Sequence, residues 1–232
     1  MTILTAVQAA QARLVGRRSA SVVSSQDEID VETTALAQEA AVDIMKAHDW
    51  QMLTRLWSIT ASDTSGAFPL PPDYDRMALA SRVHSPSWPN WTYSMSNSLD
   101  EWLRIQDNLV TITPGWWIIL DGQFQVFPAL NVGEQAKFFY ISNNVFRAAN
   151  QSPKNVITQD DDSFALDERL LTLSVIWRWK QMKQMEYAED LRNYEVALSQ
   201  NMARDKGSRA IRDRPQRFHG AVPAWPWALG GS

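Results

Sequence analysis

The sequence predicts an α+β fold with helices at both ends of the chain, a β-rich insertion between them and an extended C-terminal tail. Three observations predict it. Apolar side chains recur at three- and four-residue steps over residues 2–15, about 27–53 and about 160–202. Between about Trp57 and Ser142 that period gives way to short runs of β-branched and aromatic residues bounded by Gly, Pro, Ser and Asp. From Ala203 onward both periods vanish, and Gly, Pro and Arg accumulate. The order helices, strands, helices argues that the terminal helices form a bundle from which the sheet projects. The expected parts are 1–56 (N-terminal helices), 57–147 (β-rich insertion), 148–202 (C-terminal helices) and 203–232 (tail).

In the first helix, Ile3, Val7, Ala10 and Leu14 share one face, and Gly16 is a natural stop. After the Ser-rich connector RRSASVVSSQ, a second helix is predicted from Asp27 or Glu28 to about Leu53. Leu36, Ala40, Ile44 and the pair Ala47 and Trp50 mark its buried side. His48, beside Asp49 near the end of this run, reads as a solvated or capping histidine rather than a ligand.

WSITAS, AFPLP, RMALASRVHS and WTYSMS read as strands. The prolines of PLPPDYDRM keep it out of a central strand and make it a turn or edge. SLDEWLRIQ is a short helix, with Ser98 as cap and Glu101 as its capping-box partner. In WWIIL, Asp121-Gly122, QFQVFP, the central pair between two apolar runs specifies a type I′ hairpin, because both turn positions need positive φ. AKFFYIS supplies a further strand.

The long stretch from Asp160 to about Met202 is expected to be capped by Asp161, Asp162 or Ser163, with Asp167 and Glu168 suiting the positive end of the helix dipole. Leu166, Leu170, Leu173 and Trp177 form a stripe, and Tyr187, Leu191, Tyr194 and Leu198 repeat it. RWKQMKQME between them keeps helical propensity without the stripe. The segment is either one helix of roughly 60 Å or two meeting near Gln184, and the broken stripe favours two with a tight joint. The stripe packs a core, faces another subunit, or both; Trp177, Trp179, Tyr187 and Tyr194 are the candidate subunit-interface residues.

Composition excludes more than it assigns. The chain has 232 residues, 45% of them hydrophobic, and no apolar run of the roughly eighteen residues a membrane span requires. Its early arginines follow the apolar N-terminal part, the reverse of a secretory signal, so an unprocessed cytoplasmic chain is expected. Zero cysteines remove disulfides, thiolate metal sites and cysteine nucleophiles. His48, His84 and His219 lie far apart, and no HExxH, P-loop, GxGxxG or GxSxG is present. No catalytic, cofactor or metal site is therefore expected. An EF-hand loop counted from Asp160 places Ala165 where glycine belongs and Leu171 where the bidentate glutamate belongs, so the acidic triplet reads as helix capping.

Two rival readings remain. The many tryptophans, with Trp88, Trp91, Trp116 and Trp117 in the sheet region, could form a platform for sugar or single-stranded nucleic acid, although strand alternation buries about half of them. Asp73 and Asp75 could serve a hydrolase, but beside a proline turn they are more simply solvated.

Arg204, Lys206, Arg209, Arg212, Arg214 and Arg217 against Asp205 and Asp213 give the tail +4, leaving −8 on the body within the formal −4 of the whole. A basic tail on an acidic body reaches for another surface. The tail also holds Phe218, Val222, Trp225, Trp227 and Leu229, and burying one tryptophan removes roughly 150–250 Å² from water. Trp225-Pro226-Trp227 favours an extended backbone with little freedom left to lose, so the tail is read as ordering on a partner.

Taken together, LTAVQAAQARLVG, AAVDIMKAHDWQML, FPLPPDYDRM, FFYIS and DDDSFALDERLLTLSVIWRWKQMKQMEYAEDLRNYEVAL resemble the head-to-tail adaptor proteins of tailed bacteriophages over most of residues 3–200. The resemblance implies a structural virion protein, assembled in the host cytoplasm, in which a helical bundle carries a β-rich insertion. It further implies a ring of about twelve copies beneath the portal, joined below to a nozzle or tail-tube protein, with genomic DNA passing through the bore unbound. Arg209, Arg212, Arg217, Phe218, Trp225 and Trp227 fall in the portal-docking segment. A stopper or tail-completion protein is the nearest alternative.

Overall fold

A computed structural model of the chain describes residues 2–79, 81–87, 92–107 and 115–205. Its first helix, α1 (Ile3–Leu14), opens on a reciprocal cap in which Thr2 Oγ1 accepts the Thr5 amide and Thr5 Oγ1 accepts that of Thr2. Ile3, Val7 and Ala10 are buried as the spacing predicts, and Gly16 follows the helix with φ +71°.

Helix α2 (Glu28–Ala47), capped by Asp27, ends at Ala47 rather than near Leu53. Other groups take carbonyls of its last turn and of the residue that follows: Trp50 Nε1 donates to Ile44 O at 2.7 Å, and Arg76 Nη2 donates to Met45 O at 3.3 Å and to His48 O at 2.9 Å. His48 is extended, and a 3-10 turn over Gln51–Leu53 leads into the sheet. Ala40, Ile44 and Trp50 are buried as expected, whereas Leu36 is half-buried and Ala47 exposed.

Strands β1 (Thr54–Thr60), β2 (Ala67–Pro69), β3 (Tyr74–Met77), β4 (Val83–His84) and β5 (Thr92–Met95) precede helix α3 (Leu99–Asp107). Ser98 Oγ accepts the Glu101 amide, while the Glu101 carboxylate accepts that of Asn97, one residue earlier than a strict capping box. Strands β6 (Trp116–Leu120) and β7 (Gln123–Phe127) form the expected hairpin, with φ +53° at Asp121 and +67° at Gly122. Strand β8 (Gln135–Ser142) pairs with β1 over seven residues on one edge, and with β3 and β4 on the other. The described strand order is β1-β8-β4-β5-β6-β7-β2. β5 and β6 run parallel, and α3 provides the crossover that parallel neighbours require.

The sheet curls around its own core. The ring of Phe124 of β7 lies 5.1 Å from that of Phe138 of β8 although β4, β5 and β6 separate those strands in the order, and Trp117 stacks on Phe124 at 5.8 Å. Ile59, Phe68, Val83, Tyr93 and Val126 complete this core.

Three short strands follow, β9 (Phe146–Arg147), β10 (Pro153–Lys154) and β11 (Ser163–Phe164), paired as β10-β9-β11. Then come α4 (Glu168–Met182) and α5 (Ala188–Asp205). Two helices thus replace the single-helix option. They meet at Gln184, which turns with φ +56°. Helix α4 packs against α1, α2 and α5, and its residues 170–176 are buried almost all round. Alanines 37, 40 and 41 of α2 let the two backbones approach closely. β8 links the two cores by its period of two: Tyr140 points into the curled sheet and Ile141 into the helical core.

Helix α4 begins at Glu168, capped by Asp167, not at the acidic triplet. Asp160 and Asp162 instead fix the loop across the start of α1. Asp160 accepts the amides of Val22 and Val23 and the Ser21 hydroxyl, while Asp162 accepts those of Thr158 and Gln159 and faces Lys154 Nζ at 2.7 Å. Their backbone carbonyls also take the amides of Leu4 and Ile3, which are free donors at a helix start. The Ser-rich connector has a matching purpose: Ser19 and Ser25 donate to buried Asp30, which also accepts from Gln11 Nε2 at 2.7 Å. For all three carboxylates burial pushes the pKa up, but the donors outweigh it and hold each below the ordinary aspartate value.

Candidate functional site

The described residues end at Asp205, the last residue of α5. Its carboxylate accepts the Gln51 amide at 3.0 Å and faces His48 Nε2 at 3.4 Å, with the His48 ring edge-on to Trp50 at 5.0 Å between centroids. The same junction joins helices to sheet. Arg76 of β3 reaches the Asp49 carboxylate at 3.0 Å and that of Asp75 at 2.6 Å, and Asp49 Oδ2 accepts the Leu79 amide at 2.6 Å. Asp205 thus sits at the junction of the ends of α2 and α5 with β3. His48 is packed against Trp50 beside the Asp205 carboxylate, and its Nε2 makes no hydrogen bond among the described residues.

Trp177, Trp179, Tyr187 and Tyr194 lie on or beside the α4–α5 pair. Trp177 sits 6.5 Å from Tyr187 and 6.2 Å from Tyr194, ring to ring, with the Arg178 guanidinium 4.7 Å over its face. Arg178 also pairs with Glu39 at 2.8 Å and with Asp43. Trp179 is buried and donates Nε1 to Glu32 at 3.1 Å, while Lys183 binds the other oxygen of Glu32 at 2.6 Å. Tyr194 is buried, and that burial raises its pKa. Trp177 and Tyr187 are half-buried, and Trp177 Nε1 is a buried donor with no acceptor among the described residues. The anions Glu32, Glu39 and Asp43 that organise the cations were not foreseen, because they come from α2, more than a hundred residues away in sequence.

Other candidates take ordinary roles. Asp73 accepts Tyr140 Oη at 2.8 Å and Ser142 Oγ at 2.6 Å, and Asp75 is bound to Arg76, so both carboxylates are engaged by the fold. Burial, reinforced by Asp73, pushes the Tyr140 hydroxyl up to about 12. Trp117 is buried and Trp116 half-buried, which leaves neither as an open stacking surface; Trp88 and Trp91 lie outside the described residues. So do Arg209, Arg212, Arg217, Phe218, Trp225 and Trp227. Among the described residues no group of three or more His, Asp or Glu is placed to hold a metal ion, and no helix is long and apolar enough to cross a membrane.

The family model described as SU10 adaptor protein matches residues 1–223. No curated protein matches the chain. With nearly the whole length matched, the chain belongs to the SU10 adaptor protein family, consistent with the structural role of a phage head-to-tail adaptor.

Proposed function

We propose that the protein forms a ring beneath the portal, connects the capsid to the tail and lets DNA pass. The family match over residues 1–223 carries this reading. In it, α1, α2, α4 and α5 make the bundle of each copy, the curled sheet projects from it, and residues 203–232 dock on the portal through Arg209, Arg212, Arg217, Phe218, Trp225 and Trp227. The anchored exit at Asp205 supports this by giving the tail a fixed origin.

Neighbouring copies, about twelve to a ring, would meet along the outer parts of the α4–α5 aromatic cluster, with Trp177 and Tyr187 in contact and Trp179 and Tyr194 stiffening them from behind. The partial exposure of the Trp177 and Tyr187 rings supports that choice, since aromatic surface left in water gains by burial against a neighbour. A body of charge −8 repeated around a bore would repel phosphates, letting DNA slide toward a nozzle or tail-tube protein without sticking. A ring also multiplies weak tail contacts, because each docked tail raises the effective concentration of the next.

The test is co-sedimentation of the full chain, and of a version ending at Asp205, with assembled portals that include the cognate one, followed by imaging. Tail-dependent binding that yields a ring is expected. Failure of both versions to bind would overturn the adaptor reading, and equal binding by both would remove the tail from the contact.

A further inference from the structure

A cleft of about 700 Å³ lies on the sheet between β3 and the β5–β6 pair, lined by Tyr74, Met77, Leu79, Tyr93, Met95 and Trp117 among others. Its size falls in the range of roughly 300–1,000 Å³ in which small-molecule sites occur. Leu79 and Met95 on its wall are 83% and 55% exposed, apolar surface that water solvates poorly.

The origin of the tail lies close by. Asp205 holds the Gln51 amide, and Asp49, two residues earlier, holds the Leu79 amide. Two hydrogen bonds and the short backbone between Asp49 and Gln51 thus connect the last described residue to the cleft wall. Asp49 and Asp75 share the single guanidinium of Arg76 along that route, leaving it net negative, whereas Lys206, Arg209, Arg212, Arg214 and Arg217 against Asp213 make residues 206–232 net positive. The charge match belongs to the route, because the cleft lining is apolar or uncharged polar apart from Arg82. Residues 206–224 could extend to about 60 Å, far more than this path requires. Trp225 and Trp227 also lie beyond residue 223, where the family match ends.

We infer that this cleft binds Trp225-Pro226-Trp227 of the same chain, so that the protein before assembly parks its tail on its own sheet. Proline fixes its own φ and restricts the residue before it, which holds the indoles apart on a stiff backbone with little entropy to lose. Tethering keeps them at an effective concentration of about millimolar, so modest affinity suffices. The inference rests on the reading of the tail as a docking element and adds where that element sits when no portal is present. A portal must then outcompete the parked state, which keeps apolar tails from joining free copies to one another.

Because the chain has no cysteine, one introduced thiol gives a unique label. Ser94 lines the cleft and is exposed. Bimane on a Ser94→Cys variant is quenched on contact with tryptophan, and the version ending at Asp205 gives the background set by Trp116 and Trp117. The full chain should be dimmer than that background and return to it when Trp225→Ala and Trp227→Ala are introduced. Leu79→Asp with Met95→Asp, two exposed positions whose change spares the fold, should brighten it as well. Equal emission with and without the tail tryptophans would overturn the proposal. Quenching that weakens on dilution would also overturn it, by placing the tail on another copy. No portal is present in this measurement, so its failure leaves the tail–portal reading to the co-sedimentation experiment.

Discussion

Replacing Asp162 by asparagine keeps the shape of the side chain but removes the charge that Lys154 and the amides of Thr158 and Gln159 face. Asp162 is fully buried, so the substitution should cost about 3 kcal/mol, read as a lower urea midpoint at unchanged slope. Asp30, Asp160 and Asp162 also set the acid limit of the fold. Their folded pKa values lie below the ordinary aspartate value of about 4, so their contribution is present above that value and is lost as pH falls through the lower folded ones. The thermal midpoint should stay level from neutral pH to about 5 and fall below about 4, less steeply in Asp162→Asn. A midpoint unchanged down to about pH 3 would count against this account. Neither role was legible in the sequence. A run of aspartates before a helix satisfies the local rule for a cap, whereas the amides that claim Asp160 lie at Val22 and Val23, at the other end of the chain.

Among elements, those set by neighbouring residues were legible and those set by distant ones were not. Asp121-Gly122 specifies its hairpin because positive φ is a property of the pair itself, and α1 and α3 carry their caps within three or four residues. The early end of α2 depends on Arg76, and the parallel β5–β6 pairing depends on a crossover, so neither shows in a local window. Arg76→Ala would take a donor from the Met45 and His48 carbonyls and from the Asp49 and Asp75 carboxylates, and should cost about 2–3 kcal/mol in equilibrium unfolding. The α4–α5 joint predicts the opposite sign. Gln184 is exposed with φ +56°, a conformation that costs an L-residue about 1 kcal/mol, so Gln184→Gly should stabilise by a few tenths after the entropy glycine adds to the unfolded chain. A loss of stability there would mean that the Gln184 side chain supports the joint.

At the scale of the molecule, helical ends around a β-rich middle could be read from the sequence. The curling of the sheet could not, because Phe124 and Phe138 meet only once several intervening strands are in place. Ile141→Ala, on the strand shared by both cores, should cost about 2–5 kcal/mol and lower a single unfolding transition rather than split it, as calorimetry would show. β1 leaves the helices at Thr54 and β8 returns to them at Ser142, with Thr54 opposite Ile141 and Thr60 opposite Gln135 at the far end. A pull along these strands, drawing the tip of the sheet away from the helices, is therefore taken by two covalent backbones under tension side by side. The rungs between them are neither sheared nor peeled, so the pair behaves as a doubled cable, stiff in extension, whose weak direction is bending.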